Sequence, residues 1–395
     1  MFSRKHSCLL VSVLAIGTVA LASCGTSSSN EIEVVFVPSR DATTLGSLAD
    51  ELAPILDEQA KAAGYDYTFH MSVSTSYSAA TTALTSGTAD VAFLTGSSYA
   101  AATVDYPGKV SLMFTAERDG YKVQTIDYPA TDPKSDEGRH TQVEAMNGEI
   151  DDYVYRGEQD STNPADSYNS ILIANKGKMT DADGGKLYID DFIGNSVGIQ
   201  GPQSGAGYLY PKLFLASMKD EATREIWFRP DSPYLNNSYI AENGLTIVDG
   251  TPDASKGEIQ GVSLSGYDAA FTEAMNPDSD LMGVWGFMDI RYANGYSKSG
   301  TDYYQNDEVF TDTYTVAMTN PIFNDTISYR SDLSSDAVAA TKAAFLGAVK
   351  DGSKTEEGTG AYLIYNIYSH TGYAEGVDSN YDDERTIYEE SKTED

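Results

Sequence analysis

Along the first third of the chain, short apolar runs and amphipathic stretches take turns. Glu31 to Val37 (EIEVVFV) is a β-branched run that predicts a buried strand. Leu45, Leu48, Leu52, Ile55, Leu56 and Ala60 recur at helical spacing and predict an amphipathic helix over 45–63. Residues 67–73 predict a second strand, 78–85 a short helix stopped by Gly87, and 91–95 a third strand. A Gly96-Ser97-Ser98 turn then enters a helix from Tyr99. Strands and helices joined by a few residues predict a parallel, doubly wound α/β sheet.

Residues 110–116 predict one more strand, and there the periodicity stops. Residues 117–166 are polar, rich in Asp, Gly and Tyr, and too long for a simple loop in a compact lobe. They predict an insertion with some structure of its own. Alternation resumes with strands at 168–174, 196–200, 244–248, 314–319 and 326–330, and helices at 206–218, 268–275 and 335–349. Residues 386–395 are mostly charged and predict a frayed acidic tail.

The N-terminus bears on the compartment. Arg4 and Lys5 precede an almost unbroken apolar stretch from Leu9 to Leu21, too short to span a bilayer stably and typical of a secretory leader. Leu21-Ala22-Ser23-Cys24 closes it and resembles the bacterial lipobox, which implies a leader over 1–23 and a lipid on Cys24. An ordinary leader with a chance cysteine is the alternative. Residues 24–30 read as a Ser/Thr-rich tether. Cys8 leaves with the leader, so the mature chain has no disulfide to form. No later segment approaches 18 apolar residues.

The formal charge is −33. Such a chain has no basic patch to neutralise phosphates, which excludes nucleic acid as a partner. An anionic ligand would have to be held locally, by backbone N–H groups and hydroxyls.

Three segments offer that chemistry. Ser74-Thr75-Ser76-Tyr77, Gly96-Ser97-Ser98-Tyr99 and Pro202-Gln203-Ser204-Gly205-Ala206-Gly207-Tyr208 each follow a predicted strand and enter a predicted helix. Helix starts expose unpaired N–H groups and partial positive charge, and hydroxyls add donors. Plain capping by Ser and Thr is the competing reading of any one of them. All three would lie at carboxyl ends of strands, where open α/β sheets bind ligands. Tyr77, Tyr99 and Tyr267 adjoin these segments. His70, His140 and His370 stand far apart with no zinc spacing. Asp378, Asn380, Asp382 and Glu389 only partly match a calcium loop, and no cofactor is expected.

In order along the chain, further motifs carry a family resemblance: Val37-Pro38-Ser39-Arg40-Asp41; Thr75-Ser76-Tyr77 with Ala83-Leu84 through Phe93; Tyr168-Asn169-Ser170-Ile171; Pro202 through Pro211; Gly266-Tyr267-Asp268-Ala269; Asn320-Pro321-Ile322-Phe323-Asn324-Asp325; and Thr371-Gly372-Tyr373 through Arg385. Together they resemble the phosphate/phosphonate/phosphite-type substrate-binding proteins of ABC importers, over nearly all the mature chain except residues 117–166. Ser204-Gly205-Ala206-Gly207 departs from that family's Ser-Thr-Ser-Gly by two hydroxyls, which leaves the ligand's identity open.

The resemblance implies a type II periplasmic-binding-protein fold: two doubly wound α/β lobes joined by a two-strand hinge near Tyr168 and Asn320. Lobe one would be 31–116 plus 321–385 and lobe two 167–320, with the insertion near the hinge. Ligand-binding candidates are Ser39, Ser76, Tyr77, Ser98 and Tyr99 from the first lobe, and Ser204, Gly205, Ala206 and Asp268 from the second. An ionised Asp268 only accepts hydrogen bonds, so it would favour a protonated oxyanion or an amine-bearing ligand. The implied partners are a small anionic ligand, an ABC permease with its ATPase, and the membrane through the lipid, with the protein a monomer on the extracytoplasmic face. A surface sensor lipoprotein or a phosphatase-like enzyme are the alternatives. The second lacks a recognisable nucleophile–base pair.

Overall fold

The computed structural model describes residues 30–38, 42–125, 132–179, 185–293, 297–299, 302–303 and 305–393. Two sheets organise them. The first has the order Gly372–Glu375, Val110–Tyr121, Thr326–Arg330, Val91–Leu94, Glu31–Phe36, Thr68–Val73. Its strands from the N-terminal alternation are parallel, and Thr326–Arg330 runs antiparallel to both neighbours. The second sheet has the order Thr313–Met318, Ser170–Asn175, Gly283–Phe287, Ser196–Ile199, Glu258–Ser263, Thr246–Val248. It too is mixed, parallel from Gly283–Phe287 outward to Thr246–Val248 and antiparallel on the other side.

Each sheet has its own core, which makes two lobes. The helix Ala42–Ala62 lays Leu45, Leu52 and Leu56 on the first sheet, each fully buried. Full burial of one such side chain contributes about 1.5–3 kcal/mol. The helix Tyr77–Ser86 stops where Gly87 takes a left-handed φ of 78° and returns its N–H to Leu84 O. In the second lobe Trp227 and Trp285 both pack edge-on against Phe214.

The crossings between lobes lie side by side. Ser167–Tyr168 pairs antiparallel with Ile322–Phe323. Buried polar bonds fix this ladder: Asn169 Nδ2 donates to Thr319 O at 2.8 Å, and Asn324 Nδ2 donates to Ala116 O and Ala165 O. Arg118 clamps Asp325 at 2.6 Å beside it.

Two expectations are corrected here. Residues 117–166 are not a self-contained insertion. The strand Val110–Tyr121 runs into them, and Val123, Val143, Met146 and Tyr155 bury in the second lobe's core. Asn147 pairs its side-chain amide with both N–H and C=O of Thr315 at 2.8 Å, extending the second sheet's edge. The charged C-terminus is not a frayed tail through its described residues either. Asp382–Thr393 is a helix on Gly96–Asp105, held by Arg385 to Asp378 and by Lys392 and Tyr388 to Asp105. Its polar face is solvated, while Ile387 packs on the small cluster of Ala206, Tyr210 and Ile322.

Candidate functional site

The anion segments fold as strand-to-helix turns because each carries a capping hydroxyl. Ser76 caps Tyr77–Ser86 by accepting from Ala79 N at 3.1 Å, and its oxygen also meets Ser78 Oγ at 3.1 Å. Tyr77 is exposed at the helix start. Thr95, which the sequence reading passed over, caps Gly96–Asp105: it accepts from Ser98 N at 3.2 Å and donates to Ser98 Oγ at 2.8 Å. Ser98 therefore keeps its own O–H to donate elsewhere.

Tyr99 is a correction. Its ring is buried against Tyr381, and its O–H donates to Asp378 at 2.5 Å. Burial, then the Asp378 bond, pushes its pKa well up. It braces the C-terminal helix and has no hydroxyl to offer a ligand. Ser39 and Cys24 lie outside the described residues.

In the second lobe, Ser204 caps a wide turn, Gly205–Leu209, that leads into the helix Tyr210–Ala216. Ser204 Oγ accepts from Gly207 N at 3.1 Å. The N–H groups of Gly205 and Ala206, at the start of the turn, have no acceptor within it. A Cβ on Gly205 would meet nothing within 4 Å, so the space beside it is open. Ala206 is buried, with its carbonyl taken by Ser170 Oγ, so it can act toward a ligand only through N–H.

Tyr267 completes this turn from 63 residues away. Its hydroxyl lies 2.8 Å from Ser204 Oγ, and its ring packs edge-on against Phe287 at 4.8 Å. Two hydroxyls that share one bond leave one O–H unclaimed, and an acceptor ligand can take it. Thus a phenol stands beside the turn whose own side chains lack hydroxyls at 205 and 206. Asp268 follows, exposed in the first turn of Tyr267–Met275, and lines a hollow of about 410 Å³ with Gly266, Tyr267 and Phe287.

The lobes themselves enclose a cleft of about 440 Å³ that contains Ser97 from the first and Gln203 from the second. Its lining includes Glu384, which accepts from Tyr210 OH at 3.1 Å. Desolvation pushes the Glu384 carboxyl up to about 7; the Tyr210 bond opposes this and Asp383 adds to it. Neither Glu384 nor Tyr210 carries a sequence signal, because each matters only through the other. The structure thus brings Ser204, Gly205, Ala206 and Tyr267 together; Ser97 and Gln203, the neighbours of Ser98 and Ser204, line the cleft, whereas Ser76, Tyr77, Ser98, Ser204, Gly205, Ala206 and Asp268 do not. Among the described residues no three His, Cys, Asp or Glu side chains are grouped to hold a metal, and no helix is long and apolar enough to cross a membrane.

Two α/β lobes, each on its own sheet, and a paired crossing between them define a two-lobed protein of the type II periplasmic-binding fold. Residues 34–381 match the family described as ABC transporter, phosphonate, periplasmic substrate-binding protein, and the chain belongs to that family. No curated protein is matched by the sequence. Among solved structures, Mh-p37 of Mycoplasma hyorhinis is 11% identical, covering 91% of this chain and 98% of its own, with a TM-score of 0.53. PhnD1 of Prochlorococcus marinus, solved with methylphosphonate, is 12% identical over 92% of this chain and 99% of its own, with a TM-score of 0.41. XAC2383 of Xanthomonas citri, solved with ATP, is 10% identical over 92% and 98%, with a TM-score of 0.47. Membership carries a transport role outside the cytoplasm, with an ABC permease as partner and a small anion as ligand.

Proposed function

We propose that this protein is an extracytoplasmic lipoprotein, anchored through Cys24, that captures a small oxyanion of the phosphonate, phosphate or phosphite type and delivers it to its permease. Ser76, Tyr77 and Ser98 donate from the first lobe. Gly205 and Ala206 donate through N–H from the second, with Ser204 and Tyr267 adding the shared hydroxyl. Asp268, at the edge, accepts from a protonated oxygen or an ammonium. The observation that carries the reading is the turn at Ser204, with open space beside Gly205 and a second hydroxyl at 2.8 Å. Charge-assisted bonds of this kind contribute about 1.5–3 kcal/mol each, so a few suffice for micromolar binding.

Closure follows from the crossings. The lobes rotate about this ladder together with the strand Val110–Tyr121, which runs on into the second lobe and pairs with Gln159–Ala165, and a ligand touching both lobes favours the closed state. Calorimetric titration of phosphate, phosphite, methylphosphonate and aminoethylphosphonate tests the reading. At least one should bind with one-to-one stoichiometry at micromolar affinity or better. Silence from all four would refute the oxyanion assignment.

A further inference from the structure

The helix Asp382–Thr393 touches both lobes. On its first-lobe side Arg385 Nε donates to Thr103 Oγ1 at 3.0 Å and Tyr388 OH donates to Asp105 at 2.5 Å, both on the helix Gly96–Asp105. On its second-lobe side Glu384 accepts from Tyr210 OH, and Ile387 packs with Ala206 and Tyr210. Asp383 accepts from Asn320 Nδ2 at 2.9 Å, at the crossing itself. A crossing moves least when lobes rotate about it, so that bond survives rotation. The Tyr210 contact joins the two bodies that part.

The Glu384 carboxyl lies between those bodies. Its Oε1 stands 3.5 Å from the position a Cβ would take on Gly96, at the start of the first-lobe helix, and 3.1 Å from Tyr210 OH in the second lobe. Glu384 is 9% exposed and Tyr210 1%. Burial penalises a carboxylate far more than a neutral carboxyl. Ionisation therefore favours an arrangement in which the lobes part and water reaches the oxygens.

We propose that Tyr210 and Glu384 form a proton-controlled latch between the lobes, fastened while the carboxyl is neutral and released when it ionises. The latch concerns rotation about the crossing and is independent of which ligand binds. Asp383, on the same helix, adds like charge beside Glu384. Tyr168 from the crossing, Tyr210 from the second lobe and Tyr381 from the turn before the helix are phenols that burial keeps neutral. Lys212, Tyr388 and Glu390 line the same cleft, and Arg139 acts on Asp383. Desolvation lifts the Glu384 pKa from 4.5 to about 7. Between those values each pH unit favours the parted lobes by up to about tenfold.

Small-angle X-ray scattering of the full chain without added ligand, at about pH 5.5 and about pH 8.5, brackets the raised Glu384 value and tests the latch. At the lower pH the wild-type profile should match this structure, and at the higher pH the radius of gyration should rise. Glu384→Gln keeps the shape without ionising and should stay compact at both. Tyr210→Phe keeps the ring and loses the bond, so it should already exceed wild type at the lower pH. Melting curves show that each variant is folded, and Glu384→Gln carries the test alone if Tyr210→Phe is not. A wild-type radius that is the same at both pH values, or that rises equally in Glu384→Gln, overturns the latch. The oxyanion reading stands or falls separately, on the phosphate and phosphonate titrations.

Discussion

Tyr210 donates its phenol hydrogen to Glu384 Oε1 at 3.1 Å, tying the helix behind the Ser204 turn to the helix Asp382–Thr393. The two residues are 174 positions apart and both are buried. Such a carboxyl is easier to keep neutral than charged, and this gives the contact a pH dependence.

The folded pKa of Glu384 is raised from 4.5 to about 7, so the unfolded chain releases its proton first as pH rises. Its contribution to stability is therefore greatest below about pH 4.5 and is lost between there and about pH 7. At 1.36 kcal/mol per unit the ceiling is about 3 kcal/mol. Glu384→Gln keeps the shape without titrating. The melting-temperature gap between wild type and this variant should shift against wild type on going from about pH 5 to pH 8. A gap that stays constant would contradict the assignment.

Arg291 and Asp289 form an ion pair with almost no solvent contact, joined at 2.6 Å, with Thr313 and Tyr155 completing its hydrogen bonds. Removing one member strands the other charge in the core, which costs about 3–5 kcal/mol. Arg291→Met should show this loss by urea denaturation. The double change with Asp289→Leu should recover part of it.

Deleting residues 119–165 should leave an insoluble chain or one that unfolds without cooperativity. The deletion strips Val123, Val143, Met146 and Tyr155 from the second core and uncovers Trp227, whose indole N–H donates to Asp136 at 2.9 Å. Met146→Ala alone should cost about 2–5 kcal/mol. A soluble deletion with a sharp melting transition would show that the segment is separable after all.

The glycines of the ligand turn should respond oppositely. A Cβ on Gly207 would lie 2.2 Å from Gln200 Cγ and 2.8 Å from Ser204 Oγ, displacing the cap. Gly207→Ala should weaken oxyanion binding at least tenfold, whereas Gly205→Ala, with open space, should change it within about twofold. Gly205→Thr, which restores a hydroxyl, should tighten binding by up to about tenfold, the equivalent of one modest charge-assisted bond. Calorimetry on all three reads the outcome.

If Cys24 carries the proposed lipid, Cys24→Ala should move the protein from the membrane fraction to the soluble one, because acyl chains on that sulfur would supply the anchor. Fractionation followed by immunoblotting checks it. A variant that stays with membranes would remove the lipid anchor from the proposal.

The amino-acid sequence determined the local features by itself. The parallel strand–helix alternation over 31–105, the caps at Ser76 and Ser204, and the stop at Gly87 follow from period, hydroxyl placement and glycine, each readable within a few residues. The ordered motifs are enough to indicate the family. Only the tertiary structure decided what those elements face. Tyr99 stands beside a ligand segment in sequence, yet its helix turns the ring toward Tyr381, where burying the aromatic surface outweighs presenting it. Residues 117–166 look polar because their few apolar side chains are spread across a helix, a turn and a coil, and they gather only against the second lobe. The C-terminal helix is charged on one face and seats Ile387 on the other, and no window of its own sequence reveals the partner. Tyr267 meets Ser204 because the strands before them pair in the second sheet, and Tyr210 meets Glu384 because the helix Asp382–Thr393 reaches across to the second lobe. Sequence periodicity records which face of an element is apolar, and chain topology alone chooses the surface that covers it.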